Sequence, residues 1–314
     1  MTKPASLQPY FRNLDLTGVP VPDFVETVSY EQIRAAAIAK LVELHPSYIV
    51  LESDPAIKVI EAFCYREMLL RQRINDAARG NIITLAKGHD LEAIGAFSNI
   101  SPLPDEDEVR FRARVQQGFT RLAAAGPRGA YRAYVMGLST DIVDVGIHSP
   151  ASGEVVVTLL AFEETQEASP QEIAIGTALF EQPQSGYHIL CRSGSDIIAK
   201  TRDLLNEDDI RPLTDQVSVR PANILGFDIA AKLVIYPGPD VNLVLTQAKE
   251  RLYSYLKSLR KVGYDATRSG IIAALNAGGV QNVILTSPSS NIVCGAYDVA
   301  CALKIDVEVS HVDI

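Results

Sequence analysis

Between residues 52 and 78, apolar positions recur at spacings of three, four and seven. Ile60, Phe63, Leu70, Ile74 and Ala77 fall on one stripe of a helix, while Arg66, Arg71, Arg73 and Asp76 lie mostly off it. Ser53 or Asp54 can cap the helix, and Pro55 fits its first turn, where the missing N–H leaves nothing unsatisfied. No breaker follows until Gly80. If the pattern continues through Ile82, Ile83 and Leu85, the helix is about 33 residues, or roughly 50 Å, long. An amphipathic helix of that length is held mainly by whatever its apolar side packs on. Two readings fit: a core helix of its own domain, or one member of a multi-chain helical bundle.

The flanking pattern is also helical at first. Residues 1–28 hold Pro4, Pro9, Pro20, Pro22 and Gly18 without a steady period and predict an extended arm that lies along a surface of this chain or a neighbour. Ser29 to Gln32 fits a capping box opening a helix through about Leu44, with Pro46 ending it. A short helix is predicted over Asp90 to Phe97, then a turn at Ser101-Pro102-Leu103-Pro104. Asp105, with Glu108 three residues on, predicts another capping box. That helix breaks at Gly126-Pro127, and the next runs through Leu138.

After residue 140 the period changes to that of strands. The order helix, helix, strand, strand occurs over 107–160 and again over 242–309, which predicts a duplicated module. Between the copies, Val217 to Ala222 and Phe227 to Tyr236 predict two more strands, the second with Phe227, Ile229, Ala231, Leu233 and Ile235 on a buried face. The fold class is therefore α+β. The expected organisation is an arm over 1–28, a helical bundle region over 29–104, an α+β region over 105–236 and a C-terminal α+β region over 237–314.

Composition narrows the function. At 314 residues the chain exceeds what one core usually serves, and its 47% hydrophobic content is that of a folded protein. A net charge of −9 argues against nucleic acid as a direct partner. No apolar run of 18 residues and no charged-then-apolar leader is present, so no membrane partner and synthesis in the cytoplasm are expected. Cys64, Cys191, Cys294 and Cys301 have no CxxC pair, so reduced thiols are expected, with Cys64 packing as a small apolar residue.

No catalytic constellation, cofactor loop or metal-ligand spacing emerges. The five histidines fit caps, turns and surface positions. The run Asp105 to Glu108 fits a helix start better than a cation cage. Gly126-Pro127-Arg128-Gly129 fits a break between helices rather than a phosphate cradle. In Arg211-Pro212-Leu213-Thr214-Asp215, Pro212 fixes an extended path and Thr214 and Asp215 are expected to bond nearby backbone N–H groups.

The block from Glu52 to Ala78, with Tyr65-Arg66-Glu67 and the run Leu69 to Ala78, resembles the J-type baseplate wedge proteins of contractile-tailed phages and phage-tail-like particles. Further similar stretches follow in order: Leu103 to Glu106, Ala125 to Tyr131, Ser152 to Val157, Arg211 to Asp215 and Tyr236 to Pro239. They span about residues 50 to 240, and the C-terminal region is similar in pattern only. One departure stands between the strand ending near Phe162 and the helix near Ile197. The resemblance implies a short acidic loop there, whereas Glu163 to Gly194 supplies a longer insertion mixing polar residues with short apolar runs.

The resemblance implies a structural, non-catalytic protein of the virion tail baseplate. It implies pairing with a second copy of the chain in a different conformation and with one I-type wedge protein through a helical bundle. Neighbouring wedges and other baseplate proteins are then further partners, in a ring around the central hub. On this reading Ile60, Phe63, Leu70, Ile74 and Ala77 are the bundle interface. Gly88, Pro102, Pro104, Gly126, Pro127, Pro237, Gly238 and Pro239 are the candidate hinges between the two conformations. An adaptor of a non-phage contractile injection system, or a small-molecule enzyme, are the alternatives.

Overall fold

The computed structural model describes residues 28–122, 128–180, 187–238 and 240–312. The predicted arm therefore lies outside the described residues, apart from Val28. The fold is α+β, and the chain divides into two compact units. One comprises the described residues through Pro102 with Glu106–Gly118. The other comprises Leu103–Asp105 with the described residues from Phe119 onward.

The first unit is helical. Helix α1 spans Tyr30–Leu44, with Ser29 Oγ accepting the Gln32 N–H, the first half of the expected capping box. Helix α2 spans Pro55–Gly80; its cap is Asp54, which accepts the Ala56 N–H. At 26 residues, α2 is roughly 39 Å long, shorter than the apolar pattern predicts. Asn81 ends it, donating its side-chain N–H to the Ala77 carbonyl at 2.8 Å. Ile83, expected to extend the stripe of α2, instead packs into a separate core with Leu91, Ile100, Phe111 and Val115. That core also takes in α3 (His89–Ala96) and α4 (Glu108–Gln117).

The acidic run before α4 folds differently from expectation. Asp105 has a left-handed backbone (φ 55°), which rules out the extended conformation of a cap, and Asp107 caps the helix by accepting the Arg110 N–H. Glu106 is drawn inward instead. Its carboxylate, fully buried, pairs with both Arg110 and Arg114, and Arg114 also donates to the Ser101 carbonyl. Arg112 donates to the Ile83 and Ala86 carbonyls, tying α4 to the chain beyond α2.

The second unit holds two sheets. After a 3-10 turn at Gly118–Leu122 come α5 (Arg128–Met136), β1 (Ile142–His148) and β2 (Glu154–Thr165). They are followed by α6 (Pro170–Leu179), β3 (Tyr187–Leu190), α7 (Asp196–Leu205) and β4 (Gln216–Pro221). In the first sheet β2 is central, antiparallel to β1, parallel to β4, and continued beyond β4 by antiparallel β3. The insertion is thus a strand extension, a helix and a returning strand, with α6 set so close to β3 that a Cβ at Gly176 would overlap the His188 carbonyl. Ser169 and Glu172 cap α6 reciprocally.

The second sheet follows from β5 (Asn223–Ile235), with α8 (Val241–Ser258), α9 (Arg268–Leu275), β6 (Val280–Ser287) and β7 (Asp298–Val312). Its order is β6-β5-β7, with β6 antiparallel and β7 parallel to β5. The inward face of β5 is as predicted: Phe227, Ile229, Ala231, Leu233 and Ile235 are buried against α8 and α9. The duplicated module does not hold in space. β1 and β2 pair with each other, whereas β6 and β7 lie on opposite sides of β5. Hydrophobic period sets which face is buried, not which strands become neighbours.

The two sheets share a further core of Leu160, Leu179, Phe180, Val299 and Cys301, with Val262 against it. Asp144 on β1 pairs with Arg132 and accepts the Val262 N–H at 2.8 Å, across 118 residues of chain.

Replacing Glu106 by Ala would leave two mostly buried guanidinium groups without their shared carboxylate. Chemical denaturation is expected to show a loss of about 3 kcal/mol or more. The Ser169 N–H and hydroxyl, with Arg192, hold the Glu172 carboxyl down to about 2 from its ordinary 4.5. A depressed pKa contributes stability above the unfolded value that is lost as pH falls toward the folded one. The stability gap between the native chain and Glu172→Gln is therefore expected at pH 7 and should close between pH 4.5 and 2 in thermal melts.

Candidate assembly surface

Helices α1 and α2 are held to each other by apolar contact and by one arginine. Ile33 of α1 and Ile57 and Cys64 of α2 are buried. Arg34 donates to Glu52 at 2.6 Å and to Glu61 at 3.1 Å, and these bonds raise its pKa, Glu52 contributing most. Tyr48 donates to the cap residue Asp54 at 2.6 Å, which lowers the Asp54 pKa.

Only one side of α2 is covered by this pairing. Its buried positions, Ile57, Cys64 and Asn75, repeat at seven and eleven residues. The predicted stripe lies on another side: Phe63, Leu70 and Ile74 are 62–68% exposed, Ala77 is exposed and Ile60 is half-buried. Val59, Tyr65 and Leu69 add exposed apolar surface on the same helix, and Leu44, Ile49 and Leu51 add more in the chain leading to it. The sequence reading missed Tyr65 and Leu69 because it followed one stripe, and it passed over Val59, which sits one turn before Phe63 on that stripe. The density of large apolar residues around the whole helix was the available signal.

Three of the similar sequence stretches meet in the second unit. Tyr131, buried in α5, donates its hydroxyl to Asp215 at 2.7 Å. Burial raises the Tyr131 pKa, and the bond to Asp215 raises it further. Gly153, with φ 78°, lets its turn approach the Thr214 carbonyl and accept the Gln216 N–H at 2.6 Å. Residues 211–215 therefore form a braced turn. Asp215 takes its main bond from a tyrosine 84 residues away, not from the nearby N–H groups expected.

The candidate hinges are placed unequally. Pro102 and Pro104 are exposed, but Ile100 before them and Phe111 and Val115 after them share one core, so a swing there would have to open that core. Gly88, with φ 50°, begins α3 beside the core residues Ala86 and Leu91. Pro237 and Gly238 join β5 to α8, two elements of one core, so a swing there would have to open that core. Gly126, Pro127 and Pro239 lie outside the described residues.

A cavity of about 450 Å³ is lined by Leu138, Phe162 and Ile197 and by Asp141, Glu163 and Asp196. Ser139 on its wall donates to Asp141, and Lys200 pairs with Asp196. Among the described residues, no three His, Cys, Asp or Glu side chains are grouped to hold a metal ion, and no helix is long and apolar enough to cross a membrane. The four cysteines are buried, and none of them forms a disulfide. His89 opens α3, where its bond to Glu92 raises its pKa.

A family model for the Baseplate J-like N-terminal domain matches residues 52–103, which contain α2 and α3. A model for the Baseplate J-like protein C-terminal domain matches residues 227–308, nearly the whole second sheet with its helices. Baseplate protein J of Escherichia phage P2 is 33% identical over 303 residues, covering 89% of this chain and 92% of that protein. A chain of the cryo-EM structure of the anti-feeding prophage (AFP) baseplate, 6-fold symmetrised, is similar at 15% identity and a TM-score of 0.37. That match covers 65% of this chain and 43% of the other, so this chain spans less than half of its length.

Tyr131→Phe removes only the hydroxyl that braces Asp215. Urea denaturation is expected to show a loss of about 2 kcal/mol, the range for a bond to a charged acceptor in a mostly buried site.

Proposed function

This chain belongs to the baseplate J-like protein family, and we propose that it works as a structural wedge subunit of a contractile tail, joined to its partners through α2. As a baseplate component it is part of the virion tail and associates with other baseplate proteins. The observation that carries the finer reading is the uncovered side of α2. Val59, Phe63, Leu70 and Ile74 offer a continuous apolar surface on a long helix whose opposite side is already bound to α1. Such a surface fits the facing helices of other chains. The partners are a second copy of this chain and one I-type wedge protein, assembled in the host cytoplasm. Residues 29–104 serve the bundle, and the two sheets, sharing a core, serve the contacts between neighbouring wedges. The role is mechanical rather than catalytic.

Leu70→Asp tests this directly. At an exposed position the charge is solvated in the isolated chain, so its thermal unfolding is expected to stay within about 0.5 kcal/mol of the native value. In a bundle the same carboxylate would be buried unpaired. Coexpression with the products of adjacent genes is therefore expected to give the native chain in a complex and the variant alone. A variant that assembles normally would contradict the α2 interface.

A further inference from the structure

Helix α2 is covered further along than α1 reaches. Tyr48, four residues after the end of α1, bonds Asp54 at the start of α2, and four residues span at most about 14 Å. The end of α1 therefore lies near the start of α2, and the two helices run antiparallel. Arg34, one turn into α1, reaches Glu61, so α1 begins near Tyr65. From there about 15 residues of α2, roughly 22 Å, run on past α1. Among the described elements α1 is the main neighbour of α2, yet the seam it covers does not end with it. Met68 is half-buried and Asn75 is 3% exposed. At about 100° per residue, Cys64, Met68 and Asn75 fall within about 40° of one another, and Phe63, Leu70 and Ile74 lie on another side. The chain beyond α2 does not follow the seam, because Asn81 ends the helix and Ile83 turns into the core around Leu91.

We propose that the N-terminal segment of this same chain, residues 1–27, covers the second half of α2 along that seam. The place where the segment joins the described chain argues for it. Val28, Ser29 and Tyr30 are half-buried, and the antiparallel course of α1 aims the residues before them along α2 past Tyr65. At about 3.1 Å per residue, an extended run of about seven residues covers the remaining 22 Å or so. That spacing sets Val28 beside Met68, and Phe24 and Val25 beside Asn75. Composition argues for it too. Pro20 and Pro22 favour an extended backbone without internal hydrogen bonds, and such a backbone needs partners wherever it is buried. Asn75 carries a donor and an acceptor on one side chain and suits that task. Val21, Phe24 and Val25 supply apolar surface. The segment thus closes the side of α2 that α1 leaves open, so that Phe63, Leu70 and Ile74 are the side left to other chains. The inference goes beyond the assembly reading and does not depend on what that other side binds.

Amide hydrogen exchange on the isolated full chain tests it. The amides of Asp23 to Thr27 are expected to exchange about tenfold or more slowly than in an unstructured peptide. Asn75→Ala is expected to remove that protection, and Leu70→Asp, on the other side of the helix, to leave it unchanged. Free exchange in the native chain, protection that survives Asn75→Ala, or protection lost equally in Leu70→Asp would each overturn the proposal. A second measurement does not depend on how well Asn75→Ala folds. A photo-crosslinking p-benzoylphenylalanine at Phe24 of the otherwise native chain is expected to join α2 between Gln72 and Ala78, in a product of monomer mass. A product of dimer mass would assign the seam to the segment of a second copy and overturn the same-chain contact, and crosslinks elsewhere or none would overturn the surface itself. Loss of the bundle prediction for Leu70 would leave these results untouched, so the two ideas fail separately.

Discussion

Helix α2 has more apolar surface than its own chain covers, and the functional reading depends on that imbalance. Its 26 residues are packed against α1 on one side through Ile57 and Cys64, yet Val59, Phe63, Leu70 and Ile74 remain more than half exposed on another. Covering each of these is worth roughly 1 to 2 kcal/mol. Together they amount to several kcal/mol, comparable to a sizeable share of a micromolar affinity of about 8 kcal/mol. The salt bridges of Arg34 to Glu52 and Glu61 hold α1 in place without masking this surface. The helix is presented rather than buried.

Each compact unit is locked internally by directional bonds. Arg112 carries α4 back to the Ile83 and Ala86 carbonyls, and Glu106 holds Arg110 and Arg114 together inside the same unit. In the second unit, Asp144 joins β1 to Val262, and Leu160, Phe180 and Val299 pack between the sheets. The Tyr131–Asp215 bond fixes a turn that no local interaction would hold as firmly. Arg112, Asp144 and Tyr131 each span a long stretch of sequence to lock parts that apolar packing alone would align only loosely. Cores give bulk stability, and directional bonds fix geometry.

Much of this was legible from the residues. The start of α2, the helix α8 and the buried face of β5 follow from period and capping, which are local properties, whereas period placed the stripe on α2 without saying whether its own chain covers it. The failures are non-local. Ile83 fits the stripe of α2 by spacing, but the core around Leu91 and Phe111 claims it and Asn81 ends the helix first. Asp105 satisfies the spacing of a capping box, but its left-handed backbone moves the cap to Asp107 and frees Glu106 to turn inward. The apparent repeat of helices and strands gave no hint that β6 and β7 would flank β5. The tyrosine brace on Asp215 was unreadable for the same reason: sequence words can mark both ends of a contact without saying that they touch.

The most direct test of the account is side-chain footprinting of α2, comparing labelling of Phe63 and Leu70 in the isolated chain with that in the assembled baseplate. The account predicts strong labelling in the isolated chain and protection at both residues in the baseplate, with surface residues far from α2 unchanged. Equal labelling in the two states would mean that this surface stays in water after assembly, and would contradict the claim that α2 is where the subunit meets its partners.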